Sequence, residues 1–286
     1  MTLEGQPTAV TGAVTALFVP GDRPERFAKA TATAADLIIV DLEDAVAPED
    51  KPKAREYVLD FLTTRRESHA AIVIRINALE SIEAPYDNAL VVQIQEHDHT
   101  RLAAIMIAKA ESAVAIRNYG AEMIASKKLA IVPLIESAHG MASCAEIAEV
   151  PCVTRLAFGA VDYALDIGGE DTHGALDSAR SALVLASRIA NIAAPLDSPS
   201  IEIRDLRRVE ADARRARSFG FGGKLCIHPL QLDAVATAFL PTAEQIEWAL
   251  SIIDHGESAG QINGQMVDRP VIARARRILS SRQTAI

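Results

Sequence analysis

Acidic and basic side chains in this sequence gather where short apolar runs stop. Asp41, Glu43 and Asp44 follow the run LIIV, Glu136 follows LAIVPLI, and Asp162 stands four residues past the phenylalanine of LAF. Glu136 and Asp162 are separated by one repeat of run and connector, so they would meet at neighbouring strand ends and could share one cation. Carboxylate ligation selects a hard ion, Mg2+ before Mn2+, with water or substrate completing the octahedron. The acids at 41–44 could hold those waters from an outer position. Equally, acids at strand ends can cap the following helix or pair with lysine. Arg75 stands inside AIVIRIN, where an unpaired guanidinium would be very costly, so it must meet an acid or an anionic ligand. A structural pair with Glu43 or Asp44 and a substrate role both remain open.

Other candidates read as structure. The glycine-rich segment at 220–224 precedes an apolar run and lacks the Ser or Thr of a phosphate-binding loop, so it reads as a turn. His228, before proline, could be a base but reads more simply as a loop residue contacting backbone. His97, Asp98 and His99 only superficially have metal-binding spacing and read as a solvated loop. Cys226 reads as core.

The chemistry at these positions needs a scaffold that gathers strand ends. Apolar, β-branched segments recur at 13–19, 36–42, 70–77, 103–109, 128–136, 153–159, 193–198 and 223–229. Their middles are continuously apolar, as in parallel strands buried on both faces, and turns and helically spaced segments separate them. This repetition over 286 residues predicts a (β/α)8 TIM barrel rather than an open doubly wound sheet, with functional groups at the C-terminal strand ends. Covering helices are expected at 23–34, 52–62, 138–149, 176–191 and 204–219, and a loop with a helix inside at 79–100. Residues 1–12 read as an N-terminal extension and 13–240 as the barrel. Residues 241–286 exceed what closure needs and read as a C-terminal helical appendage or lid, with Thr242 as a helix cap.

Composition narrows the functional classes. With 49% hydrophobic and 23% charged residues the chain is of the soluble, core-forming kind. A net charge of −9 provides no broad positive field and argues against a nucleic-acid partner. Cys144, Cys152 and Cys226 are odd in number and form no CxxC pair, so neither a disulfide framework nor a zinc knuckle is expected, and a reducing cytoplasm fits. The N-terminus lacks a basic start before a long apolar run, and no stretch of eighteen apolar residues occurs, so neither a signal peptide nor a membrane span is expected.

Together these strand ends resemble the citrate lyase β-subunit family, which includes malyl-CoA and citramalyl-CoA lyases within the HpcH/HpaI aldolase superfamily. The resemblance runs over residues 17–279. Its elements are LFVPGDRPERFAKA, DLIIVDLEDAVAPEDKPKAR, VIRIN, KAES, VPLIESAHG, LAFGAVDY, GFGGKLCIHPLQ and GQMVD. It implies a barrel with Mg2+ on Glu136 and Asp162, Arg75 and Glu136 as substrate ligands, and Glu43 and Asp44 in the surrounding shell. It also implies coenzyme A held by Phe18, Pro20, Gly21 and Lys29 on one side and by Ile227 and His228 on the other. Asp268 of GQMVD would come from a neighbouring subunit as the acid/base, in a homo-oligomer that is a trimer or a multiple of one.

The implied reaction is Mg2+-dependent cleavage or formation of a 3-hydroxyacyl-CoA of the malyl, citramalyl or citryl type, with an acetyl-type thioester and a 2-oxo acid as the smaller partners. Arg75 would stabilise the thioester enolate, and no redox cofactor is needed. Alternatives are a malyl-CoA-type thioesterase, a citrate lyase β subunit acting on a carrier-protein thioester, and a non-catalytic binding barrel. The intact GQMVD favours a free-standing CoA enzyme.

Overall fold

The apolar runs fold as strands that end where the charged residues begin. The computed structural model describes residues 8–64, 70–97, 101–123, 129–170, 172–254, 260–262 and 265–283. Its strands are β1 (Thr15–Pro20), β2 (Leu37–Asp41), β3 (Ala71–Ile76), β4 (Leu102–Ile107), β5 (Ala130–Ile135), β6 (Arg155–Phe158), β7 (Ala193–Asp197) and β8 (Gly223–Cys226). They pair in parallel in chain order and β8 returns to β1, closing the barrel. This is the (β/α)8 barrel expected from the sequence. Strands β2 and β5 are buried at every residue, the two-faced burial that continuous apolar runs predict. Ala16, Leu37, Ile39, Val73, Met106, Val132, Leu134 and Leu225 belong to one buried cluster.

The helices are α1 (Thr8–Thr11), α2 (Pro24–Thr31), α3 (Lys51–Thr63), α4 (Ala84–Gln95), α5 (Ala113–Met123), α6 (Ala138–Ala142), α7 (Cys144–Ala148), α8 (Ala160–Asp166), α9 (His173–Ile189), α10 (Leu206–Phe219), α11 (Leu232–Phe239), α12 (Ala243–Asp254) and α13 (Arg269–Gln283). The helix expected over 138–149 is two pieces that meet at Ser143. Helix α8 was not expected: it follows β6 directly and has Asp162 in its first turn. The glycine-rich segment is a turn, as read. Gly220 ends α10 at φ +106°, a left-handed position suited to glycine, and the Phe221 amide closes back on the Ala216 carbonyl at 3.2 Å. Of the cluster at 97–99, residues 98 and 99 lie outside the described residues. Cys226 is fully buried, as expected of core.

The end of the barrel where the strands begin is closed by packing. Val10 of α1 is fully buried in the cluster named above. Arg155, the first residue of β6, is 1% exposed and donates to the carbonyls of Ala194 at 2.7 Å, Val10 at 3.0 Å and Ala13 at 2.6 Å.

The chain divides into two compact units, Met1–Val235 and Ala236–Ile286. In the second, α12 and α13 bury Ala249, Ile252, Val267, Ile272, Ala275 and Ile278. The segment read as a helical appendage also contains an antiparallel pair, β9 (Gly260–Ile262) and β10 (Gln265–Val267). Thr242 caps α12 as expected: its hydroxyl accepts the Gln245 amide, and the Gln245 side chain accepts the Thr242 amide, each at 3.2 Å. Among the described residues no helix is long and apolar enough to cross a membrane.

Candidate active site

Parallel pairing sets Asp41 of β2 beside Arg75 of β3. The guanidinium then donates through Nε and Nη2 to the two Asp41 oxygens at 2.7 and 2.6 Å, while Nη1 lies 3.2 Å from Glu43 Oε2. The acid left open between Glu43 and Asp44 is therefore principally Asp41, because register decides it and Asp44 lies further along the turn. Asp41 also accepts the Glu43 and Ala45 amides at 2.9 and 3.2 Å, so one carboxylate shapes the turn and holds the arginine. The Arg75 guanidinium lies 4.9 Å from the centre of the Phe18 ring. Burial alone would lower its pKa; hydrogen bonds and charge from Asp41, then Glu43, outweigh it and raise the pKa above the ordinary value. Arg75 stays charged.

The turn after β2 is held from beneath by Lys51, whose buried ammonium donates to the Leu42 and Glu43 carbonyls at 2.7 and 2.9 Å and to Asn77 Oδ1 at 2.8 Å. Sequence reasoning missed Lys51 and Asn77. A signal existed for the lysine: it is the first residue of α3, where a cation opposes the helix dipole and needs another reason to be there. Lys109, just past β4, pairs its ammonium with Glu43 and, at 3.4 Å, with Asp44. Burial pushes the Glu43 pKa up, against the opposing charge of Arg75.

Glu136 follows β5 and is 3% exposed. Its Oε1 accepts the Lys109 amide at 2.7 Å, whereas its Oε2 is buried without a hydrogen-bond partner among the described residues. Burial pushes its pKa up to about 8, with the neighbouring acids Glu43 and Asp162 adding to the rise. Strand pairing explains the neighbourhood: Ile135 is in register with Phe158, so Gly159 comes beside Glu136. A Cβ at Gly159 would stand 2.6 Å from both Oε2 and Cβ of Glu136, so only glycine leaves room for this carboxylate. Asp162 lies in the first turn of α8, three residues on.

Charge and donors fit a divalent cation. Asp41, Glu43 and Asp44 are paired with Arg75 and Lys109, whereas Glu136 lies near Asp162 with its carboxyl held in the neutral form by burial, a state that a bound cation would reverse. The orphaned Glu136 Oε2 is an oxygen donor of the kind Mg2+ takes. Among the described residues no group of three or more His, Cys, Asp or Glu side chains could hold a metal alone, so a cation taken by Glu136 and Asp162 would need water or substrate at its other positions.

The other sequence candidates divide. Phe18 and Pro20 lie in β1, and the Gly21 amide donates to the Asp41 carbonyl at 2.8 Å, tying this loop to the arginine's acid. Ile227, 41% exposed, and His228 follow β8, the strand paired with β1. His228 does contact backbone: its Nδ1 accepts the Leu230 amide at 3.1 Å. Gln231, which the sequence did not single out, accepts the Ile227 amide at 2.9 Å. Lys29 is exposed in the last turn of α2 and forms no ion pair among the described residues. Asp268 belongs to the second unit, where its carboxylate accepts the Val271 amide at 3.2 Å at the start of α13.

The sequence matches the family model described as HpcH/HpaI aldolase/citrate lyase over residues 15–229. A citrate lyase subunit beta-like protein of Deinococcus radiodurans is 35% identical over 282 residues, covering 92% of this chain and 95% of the relative. An L-malyl-CoA/beta-methylmalyl-CoA lyase of Cereibacter sphaeroides is 31% identical over 293 residues, covering 91% of each. The crystal structure of protein CitE from Mycobacterium tuberculosis in complex with magnesium, acetoacetate and coenzyme A superposes with a TM-score of 0.81 at 31% identity, covering 96% of this chain and 98% of that one. Fold, site and relatives define a (β/α)8-barrel enzyme of the carbon–carbon lyase class. The chain belongs to the HpcH/HpaI aldolase/citrate lyase family.

Proposed function

We propose that this enzyme cleaves, or in reverse forms, a 3-hydroxyacyl-CoA of the malyl, citramalyl or citryl type with the help of Mg2+, interconverting it with an acetyl-type thioester and a 2-oxo acid. The observation that carries the reading is the buried Glu136 Oε2, without a hydrogen-bond partner among the described residues, at the same strand-end face as an arginine locked in place by two acids. Glu136 and Asp162 would hold Mg2+, which when bound supplies Lewis-acid polarisation of the oxygens of the 2-oxo acid half. Arg75, oriented by Asp41 and Glu43, meets the negative charge that develops on the thioester oxygen as the carbon–carbon bond breaks, and its preorganised position stabilises that enolate. Phe18, Pro20 and Gly21 with Ile227 and His228, on strands paired around the β1–β8 seam, would flank the coenzyme A arm, with Lys29 at its anionic end.

Asp268 would deliver the proton to the enolate carbon in cleavage and remove it in condensation, reaching the site from a neighbouring subunit of a homo-oligomer, a trimer or a multiple of one. Three unpaired thiols suit the cytoplasm. The test is to incubate the purified protein with acetyl-CoA or propionyl-CoA and glyoxylate, pyruvate or oxaloacetate, then identify adducts by mass spectrometry. A Mg2+-dependent 3-hydroxyacyl-CoA supports the reading. Release of free CoA without carbon–carbon cleavage would make it a thioesterase, and activity only on a carrier-protein thioester would make it a citrate lyase subunit. Mixed oligomers of Asp268→Asn and Arg75→Lys chains should regain activity if Asp268 acts across subunits.

A further inference from the structure

Lys109 has a backbone conformation that its residue type does not favour. Its φ is +48°, and the other non-glycine residue with positive φ among the described residues is an asparagine, Asn191, a residue type that tolerates the left-handed region. Successive amides of a regular strand point to opposite neighbours. At the end of β4 the Ala108 amide donates to Ile76 of β3 at 3.2 Å. The next two amides then both turn toward the β5 side: that of Lys109 to Glu136 Oε1 at 2.7 Å, and that of Ala110 to the Leu134 carbonyl at 3.1 Å. A non-glycine residue held in this region at a functional site points to a use for the conformation.

The side chain of the same residue reaches the opposite way. Its ammonium engages Glu43 Oε1, while Glu43 Oε2 meets Arg75 Nη1 and the Asp44 amide. Both oxygens of Glu43 are thus occupied, although this acid is buried at the same strand-end face as Glu136 and its charge contributes to the state of Glu136.

We propose that Lys109 is a positioning residue with two separable arms. Its amide, held by the left-handed turn, fixes Glu136 by one oxygen and leaves Oε2 open to the cation. Its ammonium keeps Glu43 on Arg75 and out of the cation's coordination. The inference rests on the proposed cation site and is independent of which acyl group is processed.

The test is Mn2+ titration of the full chain without substrate, followed by the paramagnetic resonance of free Mn2+, on the wild type and on Lys109→Asn, Lys109→Gly, Lys109→Ala and Lys109→Val. Asn and Gly accept a positive φ and keep the amide, so they should bind Mn2+ within about threefold of the wild type, or more tightly because Glu43 is released toward the cation. Val, a β-branched residue unsuited to this region, should weaken binding by about tenfold or more, the scale for losing a group that orients a ligand, with Ala between. The Ala variant keeps the comparison available if Val fails to fold. Turnover should drop by about tenfold in all four, on the same scale, and recover substantially in Lys109→Arg, which keeps the charge. Equal Mn2+ binding by Asn and Val, or full turnover in Asn, would overturn the inference while leaving the cation site intact. A wild type that binds no Mn2+ would remove the site and this inference with it.

Discussion

Two strand arginines are buried at opposite ends of the barrel and are held in opposite ways. Arg75, at the end of β3, has two carboxylates around it, and charge and hydrogen bonding raise its pKa. Arg155, at the start of β6, has three backbone carbonyls and, among the described residues, no carboxylate in hydrogen-bond contact; burial pushes its pKa down to about 9, the more distant Asp36 opposing this. It remains charged at neutral pH. The guanidinium that faces acids is 8% exposed and feels the charge of Glu136, whose Oε2 has no hydrogen-bond partner among the described residues. The one that faces carbonyls is sealed and stitches α1 to β6 and β7. A barrel places chemistry at the C-terminal strand ends and stability at the other end, and here the division can be read from what each arginine touches.

The comparison can be broken by exchanging which property fails. Glu136→Gln removes the ligand with the free oxygen, and turnover should fall by at least about 10³-fold, the scale of losing several kcal/mol of charge stabilisation, as measured with saturating Mg2+. Arg75→Lys keeps the charge but loses the planar fork, so turnover should drop by roughly 10²–10³-fold, comparable to removing one oxyanion donor, with the circular dichroism of the folded protein retained. Gly159→Ala sharpens the metal half: its new Cβ must displace the Glu136 carboxylate, and calorimetry should show Mg2+ affinity weakened by about 10–100-fold.

Arg155→Leu should do the reverse of Arg75→Lys. Turnover measured well below the melting transition should stay within about twofold, the scale of a residue that touches nothing that reacts. Three carbonyls left without their donor, at about 1–3 kcal/mol each, should lower Tm by roughly 5–15 °C. A large loss of turnover with an unchanged Tm in this variant would erase the division of labour.

Much of this was legible in the sequence where the physics is local. Runs such as LIIV and LAIVPLI, short and rich in β-branched residues, suit two-faced strands, so the barrel and the adjacency of the strands that precede Glu136 and Asp162 followed from counting repeats. Arg75 announced itself because a guanidinium in an apolar strand must have partners. Its main partner, Asp41, did not, since choosing among three acids within four residues requires the β2–β3 register. The short helix α8 was invisible because seven residues carry too little periodicity. The role of Lys109 depends on a backbone angle that no side-chain pattern encodes. Lys51 was hidden for the reason that makes it useful: its three acceptors come from residues up to 26 positions away, brought together by the fold.

The most direct measurement of the central claim is the product balance from a 3-hydroxyacyl-CoA of the malyl type, followed by mass spectrometry for the wild type and Arg75→Lys, with Mg2+ and after exhaustive chelation. The account predicts equal amounts of a shortened acyl-CoA and a 2-oxo acid from the wild type with Mg2+, a reversible loss on chelation, and little of either from Arg75→Lys. Undiminished cleavage after chelation, or a near-normal rate in Arg75→Lys, would contradict it.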